Sequence, residues 1–294
     1  MKLFITGAAG QLGNEICRII ASGKSDIGDI DPRFFNAEIT AVDIDKLDIT
    51  DSDSVLAAVS KARPDVIINC AALTNVDGCE NDPDNAFKIN AIGVRNLAIA
   101  AEQVGAKFIH ISTDYVFAGD GDRPYREWDR THPKSIYGAS KALGEKYALV
   151  FCKKSFVVRT SWLYGQVGKN FVKTVRKILK EKGVITVVND QRGNPTNAGD
   201  LAYHLLLLAL SDEYGIYHCT GEGECTWFEF ATEIARLSGY PDGCVKPCTS
   251  EEYKSSVKRP AYSSLDNMAL RCSVGNKMRD WKTALCEYIK ALED

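Results

Sequence analysis

Through the first two thirds of the chain, short apolar runs alternate with stretches whose apolar residues recur every three to four positions. That is the pattern of parallel strands joined by crossover helices. Residues 3–6, 39–42, 66–69, 107–111 and 156–158 read as strands. Between them, residues 11–21 place Leu12, Ile16, Ile19 and Ile20 on one helical side. Thr50 can cap a helix running to Ser60, and Asp82-Pro83 sets a capping acid before a first-turn proline in a helix through Asn90 to Val104, stopped by Gly105. The insert at 23–37, rich in Asp and Gly, reads as loop, and a helix carrying Tyr137 and Lys141 precedes the strand at 156–158. Beyond Thr160 the pattern loosens. Helices are expected at 170–182, 197–211 and 282–292, a strand at 185–188, a capping box at Thr226 to Glu229, and mostly loop from 239 to 264. The expected fold is α/β: a Rossmann-like doubly wound parallel sheet (1–160) with a smaller α/β lobe (161–294) interleaved against it, ligands lying at the carboxyl ends of the strands.

Composition narrows the classes. A hydrophobic fraction of 45% over 294 residues supports an ordinary globular core, and a net charge of −3 without blocks of like charge argues against nucleic acid or membrane partners. No apolar run is long enough for a membrane span or a signal-peptide core, so a cytoplasmic protein is expected. Ten cysteines are scattered with no CxxC pair. They read as reduced thiols, and no structural metal is expected.

The chemistry concentrates at three places. Gly7, Gly10 and Gly13 follow a strand and open a helix, the context in which glycines permit a tight turn and let a pyrophosphate approach backbone N–H groups. Asp43 follows the second strand, where an acid can bond a ribose 2′-hydroxyl; turn chemistry explains it equally, and Lys46 nearby leaves NADH and NADPH undecided. Thr113 sits at the end of the fourth strand, suited to a substrate carbonyl and equally to capping a loop. Tyr137 and Lys141 are separated by four positions, sharing one helix face. A cation about 4 Å away at an effective dielectric of ~20 is worth about 4 kcal/mol, roughly three pKa units, so Lys141 is expected to lower the Tyr137 phenol and make it a usable acid.

Together these motifs resemble the extended short-chain dehydrogenase/reductases, and within them the dTDP-4-dehydrorhamnose reductases. The resemblance runs through nearly the whole chain: residues 7–13, 47–51, 64–69, 90–96, 112–117, 137–145 and 159–162, Asp190-Gln191 with Pro195-Thr196, and Arg259-Pro260. It implies reduction of a nucleotide 4-ketosugar by NADPH or NADH. Gln11, Leu12, Asp48, Ile49, Ala71, Ala72, Tyr137 and Lys141 would contact the cofactor, and Thr113, Asp114 and Trp162 the dTDP-sugar. It further implies a homodimer and allows Mg²⁺ near Glu15. Leu73 and Gly78 depart from the family pattern at the pocket rim. Sugar-nucleotide dehydratases resemble Thr-Asp-Glu at the strand end, whereas this chain has Tyr115 in the glutamate's place, so the carboxyl pair that eliminating water needs is missing. Two alternatives remain: a reductase or epimerase for another 4-ketosugar, and a non-catalytic relative such as the regulatory subunit of methionine adenosyltransferase.

Overall fold

The computed structural model describes residues 1–253 and 257–292. Six parallel strands form the central sheet: β1 (Lys2–Thr6), β2 (Glu38–Val42), β3 (Val66–Asn69), β4 (Lys107–Thr113), β5 (Ser155–Thr160) and β6 (Gly215–His218). Their spatial order is β2-β1-β3-β4-β5-β6, so the chain reverses its direction of growth between β1 and β3. That reversal opens a crevice at the carboxyl ends of the two strands. β3 and β5 are buried along their full length; apolar Val66–Ile68 and Phe156–Val158 suit strands covered on both faces, and the polar Asn69, Arg159 and Thr160 gather at the carboxyl ends.

Helices cover both faces. α1 (Gln11–Ser22) and α6 (Ala198–Leu210) pack on one side, where Ile16, Ile19, Leu201 and Leu205 are fully buried with Leu3, Ile5 and Ile68. On the other, α2 (Ser52–Ala62), α3 (Val94–Val104) and α4 (Ile136–Phe151) bury Val55, Val59, Leu97 and Ala148 against Phe4, Ile67, Phe108 and Val157. Each such aliphatic side chain removed from water contributes about 2 kcal/mol. A third apolar cluster joins α5 (Phe171–Lys182), α7 (Trp227–Leu237) and α8 (Trp281–Lys290).

Several sequence expectations are corrected here. The sixth strand was not expected; Gly215–His218 is only four residues long and gains its place by pairing in parallel with β5. The 23–37 insert is not plain loop, since Lys24–Ser25 pairs with Gly28–Asp29 and the turn at Pro32–Phe34 buries Phe34 completely. Asp51, not Thr50, caps α2, its carboxylate accepting from the Asp53 and Ser54 N–H groups. The helix from Pro83 widens into a π turn at Lys88–Gly93 before α3. A strand at Val245–Cys248 pairs with the expected one at Ile185–Val188, inside the stretch taken as mostly loop; residues 254–256 of that stretch lie outside the described residues.

Candidate active site

The turn after β1 is shaped by two glycines. Gly7 has φ +64°, and a Cβ there would lie 2.7 Å from the Ala71 nitrogen; a Cβ on Gly13 would lie 2.4 Å from the Gly7 carbonyl. Both positions therefore exclude a side chain, and the first also needs the left-handed backbone. α1 starts without any side-chain cap at Gly10, so its N-terminal N–H groups face the crevice with the positive end of the helix dipole. Two cavities meet at this turn. One, about 460 Å³, is lined by Asp43, Asp48, Ile49, Ala71 and Lys88; the other, about 530 Å³, by Gln11, Leu12, Thr113, Asp114, Tyr137, Lys141, Trp162 and Trp227. Gly7, Gly10, Cys70 and Ala72 line both. The glycine turn thus lies where the two cavities join.

Asp43 makes the turn contacts weighed for it and stands at the first cavity. Its carboxylate accepts the Ala9 N–H at 3.1 Å and the Ile44 N–H at 2.8 Å. Asp48 accepts the Thr50 N–H at 2.8 Å, which holds its carboxyl below the usual range. Asn90 was quoted only as part of a motif, yet the π turn aims its amide across the chain. It accepts the Leu73 N–H at 2.8 Å and donates to the Leu73 carbonyl at 3.0 Å and the Ser140 hydroxyl at 3.1 Å. It thereby ties the loop after β3 to the helix carrying Tyr137. A helix-period reading has no signal for such a widened turn.

At the other end, Thr113 closes β4 and its hydroxyl donates to Asp114 Oδ1 at 2.9 Å. The Tyr137 side chain lines the same cavity as Thr113 and meets Tyr115 edge to face, ring centroids 5.5 Å apart. Burial pushes the Tyr137 phenol well above its ordinary value. This corrects the expectation that Lys141 lowers it: the Lys141 ammonium donates to the Ile111 carbonyl at 2.5 Å, and loss of solvent around the phenol dominates. Burial also pulls Lys141 itself down to about 8, opposed by the Glu145 carboxylate one turn along α4. Asp114 is 3% exposed, and its Oδ2 has no hydrogen-bond partner among the described residues. Burial raises it to about 6 against the hydrogen bonds of Ser263 and Thr113.

Beneath these groups lies an ion pair. Arg159 on β5 donates to Glu145 from Nε (2.9 Å) and Nη2 (2.8 Å), and Glu145 also accepts the Ser112 hydroxyl at 2.6 Å, one residue before Thr113. Beyond Tyr115 opens a further cavity of about 540 Å³ lined by Lys134, Lys258 and Arg259; Arg259 also pairs with Asp77 at 3.4 Å. Trp162 lines the 530 Å³ cavity, but its indole is stacked on Trp227, which the sequence reading did not single out.

The chain matches the RmlD substrate binding domain over residues 1–293. The chain belongs to that family. It is 42% identical to the spore coat polysaccharide biosynthesis protein SpsK of Bacillus subtilis, over 98% of this chain and 97% of that protein. A crystal structure of a dTDP-4-dehydrorhamnose reductase from Clostridium acetobutylicum superposes with a TM-score of 0.93 at 45% identity, covering all of both chains. Another from Bacillus anthracis, in complex with NADP, gives 0.91 at 40% identity over 99% of each. The Rossmann-like α/β class is that of the family.

The Mg²⁺ allowed by the resemblance does not fit these residues. Glu15 Oε1 accepts from Arg18 Nε at 3.0 Å and Nη2 at 2.5 Å, while Asp26, Asp200 and Glu287 are matched by Arg18 and Arg279. Guanidinium groups partner these carboxylates, and Glu15 Oε2 alone of the Glu15 oxygens has no hydrogen-bond partner among the described residues. Among the described residues, no group of three or more His, Cys, Asp or Glu could hold a metal ion. All ten cysteines are free, and among the described residues no helix is long and apolar enough to cross a membrane.

Proposed function

We propose that the protein is an NAD(P)H-dependent reductase of a dTDP-4-keto-6-deoxysugar, with dTDP-4-dehydrorhamnose, giving dTDP-L-rhamnose, as the substrate favoured by its relatives. The observation that carries this reading is the convergence of Thr113, Tyr137 and Lys141 on the cavity that begins at the glycine turn. The residues present fit a dinucleotide: a side-chain-free turn, an uncapped helix N-terminus and a crevice on either side of it. Gly7, Gly10, Gln11, Leu12 and Gly13 would hold the pyrophosphate, Asp43, Asp48, Ile49, Ala71 and Ala72 the adenosine half. A bound reduced nicotinamide supplies the hydride.

The protein's own task is to place the ketone and deliver a proton. Thr113 holds the carbonyl oxygen, and Tyr137 donates its phenolic proton as negative charge develops there. A phenol kept protonated by burial suits that direction of reaction. Lys141 supports the charge left on Tyr137 and bonds the cofactor ribose. Asp114, one of whose oxygens has no hydrogen-bond partner among the described residues, accepts from a sugar hydroxyl. The net charge of −3 leaves the anionic nucleotide to be met locally, and Lys134, Lys258 and Arg259 beyond Tyr115 are suited to its diphosphate. The carboxylate of Asp43 favours a free ribose 2′-hydroxyl, so NADH is expected to serve alongside NADPH.

The test is turnover by the purified chain with a panel of dTDP-4-ketosugars and each reduced cofactor, followed by product identification. Tyr137→Phe keeps the ring volume and removes the acid. It should retain NADPH affinity while kcat falls about 10²-fold or more. Undiminished kcat in that variant removes Tyr137 from its role. A wild-type chain that binds dinucleotide yet turns over no ketosugar would favour the regulatory-subunit alternative. A homodimer is a further expectation, checked by sedimentation.

A further inference from the structure

Trp162 has φ +47°, a left-handed backbone that a bulky residue adopts only when its surroundings impose it. Both faces of its indole are covered. Trp227 lies on one, ring centroids 3.6 Å apart and planes 8° from parallel. At that separation the two rings overlap almost fully. A Cβ built on Gly193 would sit 2.6 Å from Cε2 of Trp162 and 2.8 Å from its bonded neighbours Cζ2 and Nε1, a point above the ring rather than beside it. Gly193 therefore lies against the opposite face. The backbone fixes this sandwich: Gly193 pairs with Cys225 and Arg192 with Thr226, Trp227 N donates to the Gln191 carbonyl at 3.4 Å, and Thr196 N donates to the Trp162 carbonyl at 3.3 Å. Phe171, 4.5 Å from Trp227 between centroids, and Phe230 pack around the pair.

We propose that Gly193 and Trp227 are positioning residues of the sugar pocket, clamping Trp162 so that its indole edge, not its face, sets the width between that wall and Thr113, Asp114 and Tyr137. This rests on the reading of the cavity as the ketosugar site. The consequence is chemical as well as steric. An indole edge is the electropositive part of the ring, so the clamped Trp162 suits sugar oxygens, whereas a free face would suit sugar C–H groups. Trp162 would therefore meet the sugar nucleotide, as the resemblance implies, by its edge rather than by stacking a face on the sugar or base.

The experiment compares Gly193→Ala, Trp227→Phe and Trp227→Ala with the wild-type chain. The readouts are KM for the dTDP-4-ketosugar, Kd for NADPH by fluorescence titration, and the far-UV circular dichroism couplet of the stacked tryptophans. The alanine methyl cannot share space with the ring, and a displacement of about an ångström at a reacting site costs up to ~10²-fold. Gly193→Ala and Trp227→Ala should raise the sugar-nucleotide KM about tenfold or more, Trp227→Phe less, with NADPH affinity within about twofold of wild type and the couplet lost in both Trp227 variants. An unchanged sugar-nucleotide KM in Trp227→Ala, with the couplet gone, would overturn the proposal even if Gly193→Ala fails to fold. Absence of wild-type turnover would reject the reductase reading instead; the clamp is then judged by the affinity of the same variants for dTDP, and unaltered affinity overturns it.

Discussion

Asp114 stores a measurable conflict between stability and binding. Its pKa is about 6 in the fold against 3.8 unperturbed, with burial the leading cause. A raised acid favours the fold below its unfolded pKa and loses that contribution as pH climbs through its folded value, here between 3.8 and 6. The difference of 2.2 units corresponds to about 3 kcal/mol of lost stability above pH 6, at 1.36 kcal/mol per unit. Asp114→Asn removes the charge but puts an amide into the same unpartnered position, which costs about 1 kcal/mol. The variant should therefore gain about 2 kcal/mol at pH 8 and under ~1 kcal/mol at pH 5. Unfolding entropy for a chain of 294 residues is about 0.6 kcal/mol/K, so the gain at pH 8 appears as about 3 °C in Tm. The assay is thermal unfolding of both proteins at pH 5 to 8.5 in constant ionic strength, with the ketosugar KM measured alongside. A Tm difference that does not change with pH would refute the argument, because only titration of this carboxyl can make it vary. The same variant should bind the sugar nucleotide more weakly, since the oxygen that burial leaves unpartnered is the one offered to the ligand.

Other outcomes follow from the same geometry. Glu145→Gln leaves Arg159 buried without its bidentate partner and should cost about 3–5 kcal/mol, or about 5–8 °C in Tm; combining it with Arg159→Met should cost less than the sum of the single changes. Lys141, near 8 by burial, is protonated below that pH, so kcat/KM should fall as pH rises past about 8, and Lys141→Met should flatten that limb of the profile. Gly7→Ala forces a methyl within 2.7 Å of the Ala71 nitrogen at φ +64°; NADPH affinity measured by titration should drop about tenfold or more, and wild-type affinity would discount the turn.

What the sequence determined by itself is whatever depends on neighbours along the chain. The alternation of strand and helix periods, the glycine turn after β1, and the i, i+4 spacing of Tyr137 and Lys141 are local, and each was legible from spacing and residue type alone. Asp82-Pro83 and Thr226 to Glu229 announced helix starts for the same reason: a cap bonds N–H groups two or three residues away. The tertiary structure decided everything set by desolvation and by contacts between distant segments. Charge spacing predicted a phenol lowered by its lysine, and burial raised it instead, because the loss of water around an ionisable group depends on all the elements packed over it. The edge strand Gly215–His218 is too short to declare itself and forms because β5 offers it a ladder 55 or more residues away in the chain. Gly193, Trp162 and Trp227 come together from three separate segments, so no window along the chain could show that both faces of one indole are taken.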